Sequence, residues 1–175
     1  MKNLAILAAS VAFVGFGGAA LAQDQSTNRV AAETDWSVFV ENDPQECWGV
    51  SAPKETVNTR DGSRVEVRRG DILLFVSYRP GSSVNGEISF TGGYPFAEGS
   101  TVSVDIGGTQ FELFTDGEWA WPASASDDAN LAAAMKRGST AVVTARSSRG
   151  TQTRDTFSLL GFTAAVEQAE SRCSG

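Results

Sequence analysis

Polar and apolar positions alternate along most of this chain, and a period of two predicts β-strands. Trp36, Val38 and Val40 alternate with Ser37 and Phe39, which gives a strand with one well-buried face. Asn42-Asp43-Pro44 reads as a turn. Cys47-Trp48-Gly49-Val50 reads as a short second strand, stopped by Pro53. Val65 and Val67 alternate with Arg64, Glu66 and Arg68, a strand with one wet face that starts after the hairpin signal Asp61-Gly62. Residues 72–76, ILLFV, form a continuous apolar run bounded by Gly70 and Pro80. That pattern predicts a central strand covered on both sides. Ile88 and Phe90 resume the alternation after Asn85-Gly86.

The best-defined element is the segment TVSVDI-GG-TQFELF. A two-residue turn at Gly107-Gly108 pairs Val104 with Phe111 and Val102 with Leu113. The same register pairs Ser103 with Glu112 and Asp105 with Gln110, so one face is apolar and the other polar. A helix follows. Ser126 is its expected cap, with Asp127 and Asp128 in the first turn, where negative charge suits the helix dipole. Leu131, Ala134 and Met135 make its apolar stripe, and Gly138 ends it. Two strands, 139–147 and 151–160, flank a turn at Arg149-Gly150. A final helix begins near Gly161, with Phe162, Val166, Ala169 and Cys173 on one face. Nine or ten short strands without strand–helix alternation predict a mostly β fold. The expected architecture is an antiparallel β-sandwich or flattened barrel with one short internal helix and a C-terminal helix.

The first 22 residues follow a different pattern. Lys2 is the only charge before Asp24, an apolar stretch runs from Leu4 to about Phe16, and Ala20-Leu21-Ala22 has the small-x-small form of a signal-peptidase site. Residues 1–22 are therefore expected to be a signal peptide cut before Gln23. The apolar stretch is short of the roughly 20 residues that span a bilayer. No later run is long enough, so no integral membrane segment is expected after cleavage. Residues 23–34 are polar and small and are expected to be a flexible leader. Residues 35–175 are expected to form a single domain, in the periplasm or secreted.

Composition narrows the function. The formal net charge is −7, and an acidic surface argues against nucleic acid as a partner. Cys47 and Cys173 are the only cysteines. In an oxidising compartment an even pair suggests a disulfide, with two free thiols as the alternative. The helical spacing turns Cys173 toward the protein body, where it could meet Cys47. Histidine is absent, which removes the commonest general base and the Ser-His-Asp arrangement. Two thiols without histidine also make a zinc site implausible. No cofactor is expected.

The order of these landmarks resembles the invasion-associated locus B family of exported alphaproteobacterial proteins. The carrying features are the signal peptide, the tryptophan strand DWSVFV, the cysteine strand ECWGV, the apolar strand GDILLFVSY and the ending FSLLGFTAAVEQA. Many members carry further cysteines where this chain reads FVEND and FTDGEWAWP, so the family's disulfide pattern does not transfer whole. The resemblance implies a β-rich exported protein and supplies no catalytic residues.

Three groups remain as candidate chemistry. Asp116 with Glu118, and Asp127 with Asp128, are carboxylate pairs, but a solvated turn and a helix N-terminus account for them. Arg64, Arg68, Arg69, Arg79, Arg146, Arg149 and Arg154 could dock an anionic glycan or could guard sheet edges. Trp119 and Trp121 share a face if their segment is a strand, beside Tyr94-Pro95-Phe96 if the loops meet. Packing under the following helix is their expected role, and an exposed stacking platform is the alternative. Trp36 and Trp48 are expected in the core. The resulting expectation is a non-enzymatic envelope protein that binds or supports an unidentified protein or glycan. The alternative is a carbohydrate- or small-ligand-binding module using Trp119 and Trp121.

Overall fold

Residues 28–174 are described by a computed structural model; the expected signal peptide lies outside the described residues. Twelve strands and two α-helices follow one another along the chain. They are β1 (Arg29–Glu33), β2 (Trp36–Asn42), β3 (Gln45–Ser51), β4 (Glu55–Arg60), β5 (Ser63–Arg64), β6 (Leu73–Arg79), β7 (Val84–Thr91), β8 (Thr101–Ile106), β9 (Thr109–Asp116), β10 (Trp119–Trp121), α1 (Ala125–Arg137), β11 (Thr140–Arg146), β12 (Gln152–Ser158) and α2 (Phe162–Cys173). All strands join one antiparallel sheet in the order β1-β2-β3-β6-β7-β10-β9-β8-β11-β12-β4-β5. The sheet is not closed. Of the two expected architectures, a full barrel is therefore absent, and the single sheet instead curls on itself.

The curl is visible in contacts between strands far apart in the sheet. Phe90 of β7 meets Phe157 of β12 edge to face at 6.1 Å. The Trp36 indole N–H of β2 donates to the Ser158 carbonyl of β12 at 3.1 Å. Alternate residues point to the concave side: Val38, Leu74, Val76, Ile88, Val102, Val104, Leu113, Ala141, Val143 and Phe157 are all buried there. Both helices pack on that same side. α1 supplies Leu131, Ala134 and Met135, and α2 supplies Phe162, Ala165, Val166 and Ala169 to one continuous core. Gly49 of β3 lets α2 approach closely, since a Cβ there would sit 3.4 Å from that of Ala165 and 3.1 Å from Val76.

The central hairpin adopts the predicted register, with Val104 opposite Phe111, Val102 opposite Leu113, Ser103 opposite Glu112 and Asp105 opposite Gln110. α1 is capped by Ser124, whose hydroxyl accepts from the Asp127 N–H, two residues before the expected cap at Ser126. α2 starts where expected, after Gly161. Gly161 has φ +93, and a Cβ there would stand 1.8 Å from the Glu33 carbonyl oxygen, so only glycine admits this junction between α2 and β1.

Four expectations are corrected. Residues 29–33 of the expected leader form β1, paired with β2 from Arg29 to Glu33; an edge strand needs backbone partners more than an apolar pattern, and this one is too small and polar to be read from periodicity. The strand expected around residues 64–68 shrinks to Ser63–Arg64, while the unpredicted β4 pairs with β12. The chain from 65 to 72 instead crosses back to β6. The apolar run at 72–76 is not covered on both sides, because Leu74 and Val76 are buried while Leu73 and Phe75 remain half-exposed on the convex face. Finally, Trp48 is half-buried on that convex face rather than in the core.

The disulfide forms between Cys47 and Cys173, with Cα atoms 5.9 Å apart. It ties the end of α2 to β3, and the Gln45 side-chain amide reinforces the junction by donating to the Arg172 carbonyl at 2.9 Å. The closed loop spans 126 residues, a length for which chain entropy gives up to about 5 kcal/mol. Dithiothreitol should lower the melting temperature while leaving the far-ultraviolet β signal of the cold protein intact, because the sheet keeps its own core. A melting temperature unmoved by full reduction would remove the disulfide from the list of stabilising elements.

Candidate aromatic groove

Outward-facing residues on the convex side are unusually aromatic. Phe39 of β2 lies opposite Trp48 of β3, and their rings stack at 5.5 Å with 8° between planes. Phe75 of β6 packs against Trp119 of β10 at 5.6 Å. Trp119 and Trp121 stack at 6.4 Å and 21°, and Trp121 meets Phe114 of β9 at 5.6 Å. These side chains belong to β2, β3, β6, β10 and β9, and only β7 interrupts that run of six adjacent strands. At about 4.8 Å between strands, the row extends roughly 24 Å across the sheet.

β7 supplies the depression. Its outward residues are Glu87, Ser89 and Thr91, and the last two are short enough that the flanking rings cover them to 6% and 8% exposure. Aromatic walls on both sides of small polar residues leave a groove of about 510 Å³, lined among others by Trp48, Phe75, Ser77, Ser89, Trp119 and Trp121. That volume and lining fall in the range of small-ligand sites. Arg79 and Glu87 form an ion pair at 2.5 Å within the groove, and Glu46 adds a second carboxylate. The pair is about one-third exposed on each side, so it adds polar recognition more than stability.

Trp119 and Trp121 thus share one face, as their spacing implied, but they do not pack under the helix. Trp119 is 39% exposed and Phe114 48%. A contiguous row of open rings is a feature that contact surfaces share. The loop holding Tyr94 and Phe96 does meet the turn before β10, through the Phe96 N–H and the Gly117 carbonyl at 2.8 Å. Its rings go elsewhere: Phe96 enters the core beside Phe90, and the Tyr94 hydroxyl lies 2.5 Å from that of Thr153. Phe39, Phe75 and Phe114 were not singled out from sequence, and Trp48 was expected in the core. The usable signal was the unbroken apolar run at 72–76, which on a strand open to water on one side must place Phe75 outward.

Of the two carboxylate pairs, Asp116 and Glu118 flank the exposed turn between β9 and β10, while Asp127 and Asp128 have structural roles at α1. The Asp127 carboxylate accepts from the Ser124 hydroxyl at the start of α1. Asp128 accepts from the Ile88 N–H at 2.8 Å, and burial holds its carboxyl above the ordinary range despite that bond. Tyr78 is likewise pushed up to about 12, first by burial and then by the nearby Glu170. Arg69 and Arg79 are absorbed in ion pairs. Among the described residues no group of three metal-ligating side chains comes together, and no helix is long and apolar enough to cross a membrane.

The fold and this surface define a class: a curled, open antiparallel sheet with both helices on its concave side and an aromatic row on its convex side. A family profile described as invasion associated locus B (IalB) protein matches residues 36–170, and the chain belongs to that family. The crystal structure of invasion associated protein B from Bartonella henselae has a similar fold, with a TM-score of 0.55 at 13% sequence identity over 83% of this chain and 98% of that one. Comparison with curated proteins finds no significant match.

Replacing Trp119 by alanine should lower unfolding stability by less than about 2 kcal/mol, since much of the ring already meets water. Replacing the fully buried Phe157 should cost about 3–5 kcal/mol. Urea denaturation of both variants compares the two faces directly, and a Trp119→Ala cost equal to that of Phe157→Ala would make the convex row a packing element.

Proposed function

We propose that this protein is exported, non-enzymatic, and binds a saccharide chain along the aromatic groove of its convex face. The observation that carries the reading is the pair of nearly parallel indoles, Trp119 and Trp121, facing Phe75 across the small polar residues of β7. Sugar rings present flat C–H faces rimmed by hydroxyls. Aromatic faces take the former, and Ser77, Arg79, Glu87 and Ser89 offer donors and acceptors to the latter. The absence of histidine from the sequence and the structural use of the half-buried Asp128 carboxylate favour a binding role over acid–base chemistry. Export is supported by the N-terminal pattern, the disulfide and family membership.

One observation favours a second reading, a protein partner. The aromatic row continues past the groove to the Phe39–Trp48 stack on one side and to Phe114 on the other, and exposed aromatics over such a length also suit a protein interface.

Tryptophan fluorescence separates the two. Titration with neutral oligosaccharides should shift the emission saturably, and the shift should fall at least tenfold in apparent affinity in Trp119→Ala. A glycan array without any signal would reject the saccharide reading and leave the protein-partner reading in its place. Export has its own test: mass spectrometry of protein from the native host should find Gln23 as the first residue, and retention of residues 1–22 would indicate an anchored form.

A further inference from the structure

A second concavity lies away from the aromatic groove, on the side where the crossover between β5 and β6 passes the β11–β12 turn. Its volume is about 450 Å³. Four arginines line it, and they come from three separate segments. Arg60 ends β4, Arg68 and Arg69 lie on the crossover, and Arg149 sits in the β11–β12 turn. One carboxylate, Glu118, shares the lining.

These guanidinium groups are not equivalent. Arg69 is buried and spent: it forms a two-pronged ion pair with the fully buried Asp155 at 2.7 and 2.6 Å, and its Nε donates to the Gly92 carbonyl at 2.9 Å. Arg60 donates through one nitrogen to the Thr151 hydroxyl at 2.8 Å. Arg68 and Arg149 have neither an ion pair nor a side-chain hydrogen bond among the described residues. Once Arg69 is balanced by Asp155, three guanidinium groups face a single carboxylate. This surplus of positive charge stands in a protein whose net charge is −7.

Four of the five hydroxyls of the cleft are already engaged, and the fifth, on exposed Ser148, can donate to an anion. Thr151 Oγ1 accepts from Arg60, Ser147 Oγ accepts from the Thr151 N–H at 3.1 Å, and Tyr94 and Thr153 bond each other. What remains for a ligand is mainly N–H donors, and a guanidinium group has no acceptor to offer. A ligand that brings only acceptors and negative charge therefore matches the cleft. Edge protection alone would spread such charges along exposed strands. Here a buried ion pair fixes the crossover, and the three segments converge on one depression.

We propose that this cleft binds a tetrahedral oxyanion, phosphate or sulfate, through Arg60, Arg68 and Arg149. Guanidinium forks suit the geometry of such groups. The same chemistry is offered by a free anion and by an ester carried on a polymer, and the experiment has an arm for each.

Isothermal titration calorimetry on the folded protein at 20 mM NaCl uses inorganic phosphate in one arm and a sulfated hexasaccharide in the other. Saturable binding is expected in at least one arm, weakening as salt is raised. Binding of phosphate assigns the cleft to a free anion, and binding of the hexasaccharide alone assigns it to a polymer-borne ester. The Arg68→Gln/Arg149→Gln variant should lose at least tenfold in affinity with an unchanged melting temperature. The Arg146→Gln/Arg154→Gln variant removes equal charge outside the cleft and should lose less than threefold. No saturable binding in either arm overturns the proposal, and so does an equal loss in the two double variants.

Discussion

The fold depends on one buried ion pair, between Arg69 and Asp155. Asp155 lies on the concave side of β12, fully shielded from water, and the Arg69 side chain is only 6% exposed. A lone buried charge costs several kcal/mol, so each of these residues is tolerable only because of the other. Arg69 adds a bond to Asn58 on β4 at 3.3 Å, a bond to the Gly92 carbonyl after β7, and a place 5.0 Å from the Tyr94 ring centre. One side chain thus joins the paired strands β4 and β12 to the segment after β7, which is distant from them in strand order. It holds the curl of an open sheet by bridging across its concave side. Gly93 completes the clamp. Its carbonyl accepts from the Gly70 N–H at 2.9 Å, and a Cβ on Gly93 would stand 2.6 Å from the Gly70 backbone, so the two chains approach only without one.

Curling an open sheet separates its faces by function. The concave face closes over itself and the two helices and carries the core, so the apolar residues that stabilise the protein are all on that side. The convex face contributes little to the core and is free to vary. Its aromatic row is therefore hard to explain by stability. Stacked pairs such as Phe39–Trp48 do recover part of the exposed area, but Phe114 and Trp119 stay open. A surface that keeps large rings in water, around short polar residues that could as well have been long, has the shape of a recognition surface.

Much of the fold was legible in the sequence because its signals were local. The Gly107-Gly108 hairpin announced its register through turn chemistry and alternation together. Both helices followed from their apolar stripes and flanking glycines, although the cap of α1 is Ser124 and not Ser126, and the inward face of α2 correctly brought Cys173 to Cys47. What could not be read depended on partners distant in sequence. β1 and β4 are small and polar, and they are strands only because β2 and β12 offer them backbone groups. Trp119 and Trp121 were rightly placed on one face by their spacing. Spacing cannot say which face of a sheet the helices will cover, and so the packing expectation failed for them. The arginines looked alike in the sequence. Their division into spent (Arg69, Arg79) and uncommitted (Arg68, Arg149) exists only in three dimensions.

The two concavities meet at one tight turn. Glu118 lines the basic cleft, and its neighbour Trp119 lines the aromatic groove. Their electrostatics differ in sign. The groove holds Glu46 and Glu87 against Arg79, whereas the cleft holds uncommitted guanidinium groups against Glu118. A single anionic group would be repelled by the first and drawn to the second, and a neutral ring would find stacking partners only in the first. The turn from Gly117 to Trp119 is fixed from behind by the Phe96 N–H bond to the Gly117 carbonyl, so the two sites keep a constant relation. A ligand that carries both features, uncharged rings beside an esterified oxyanion, would satisfy each site with the part that suits it. A ligand with only one feature would occupy one concavity and leave the other empty.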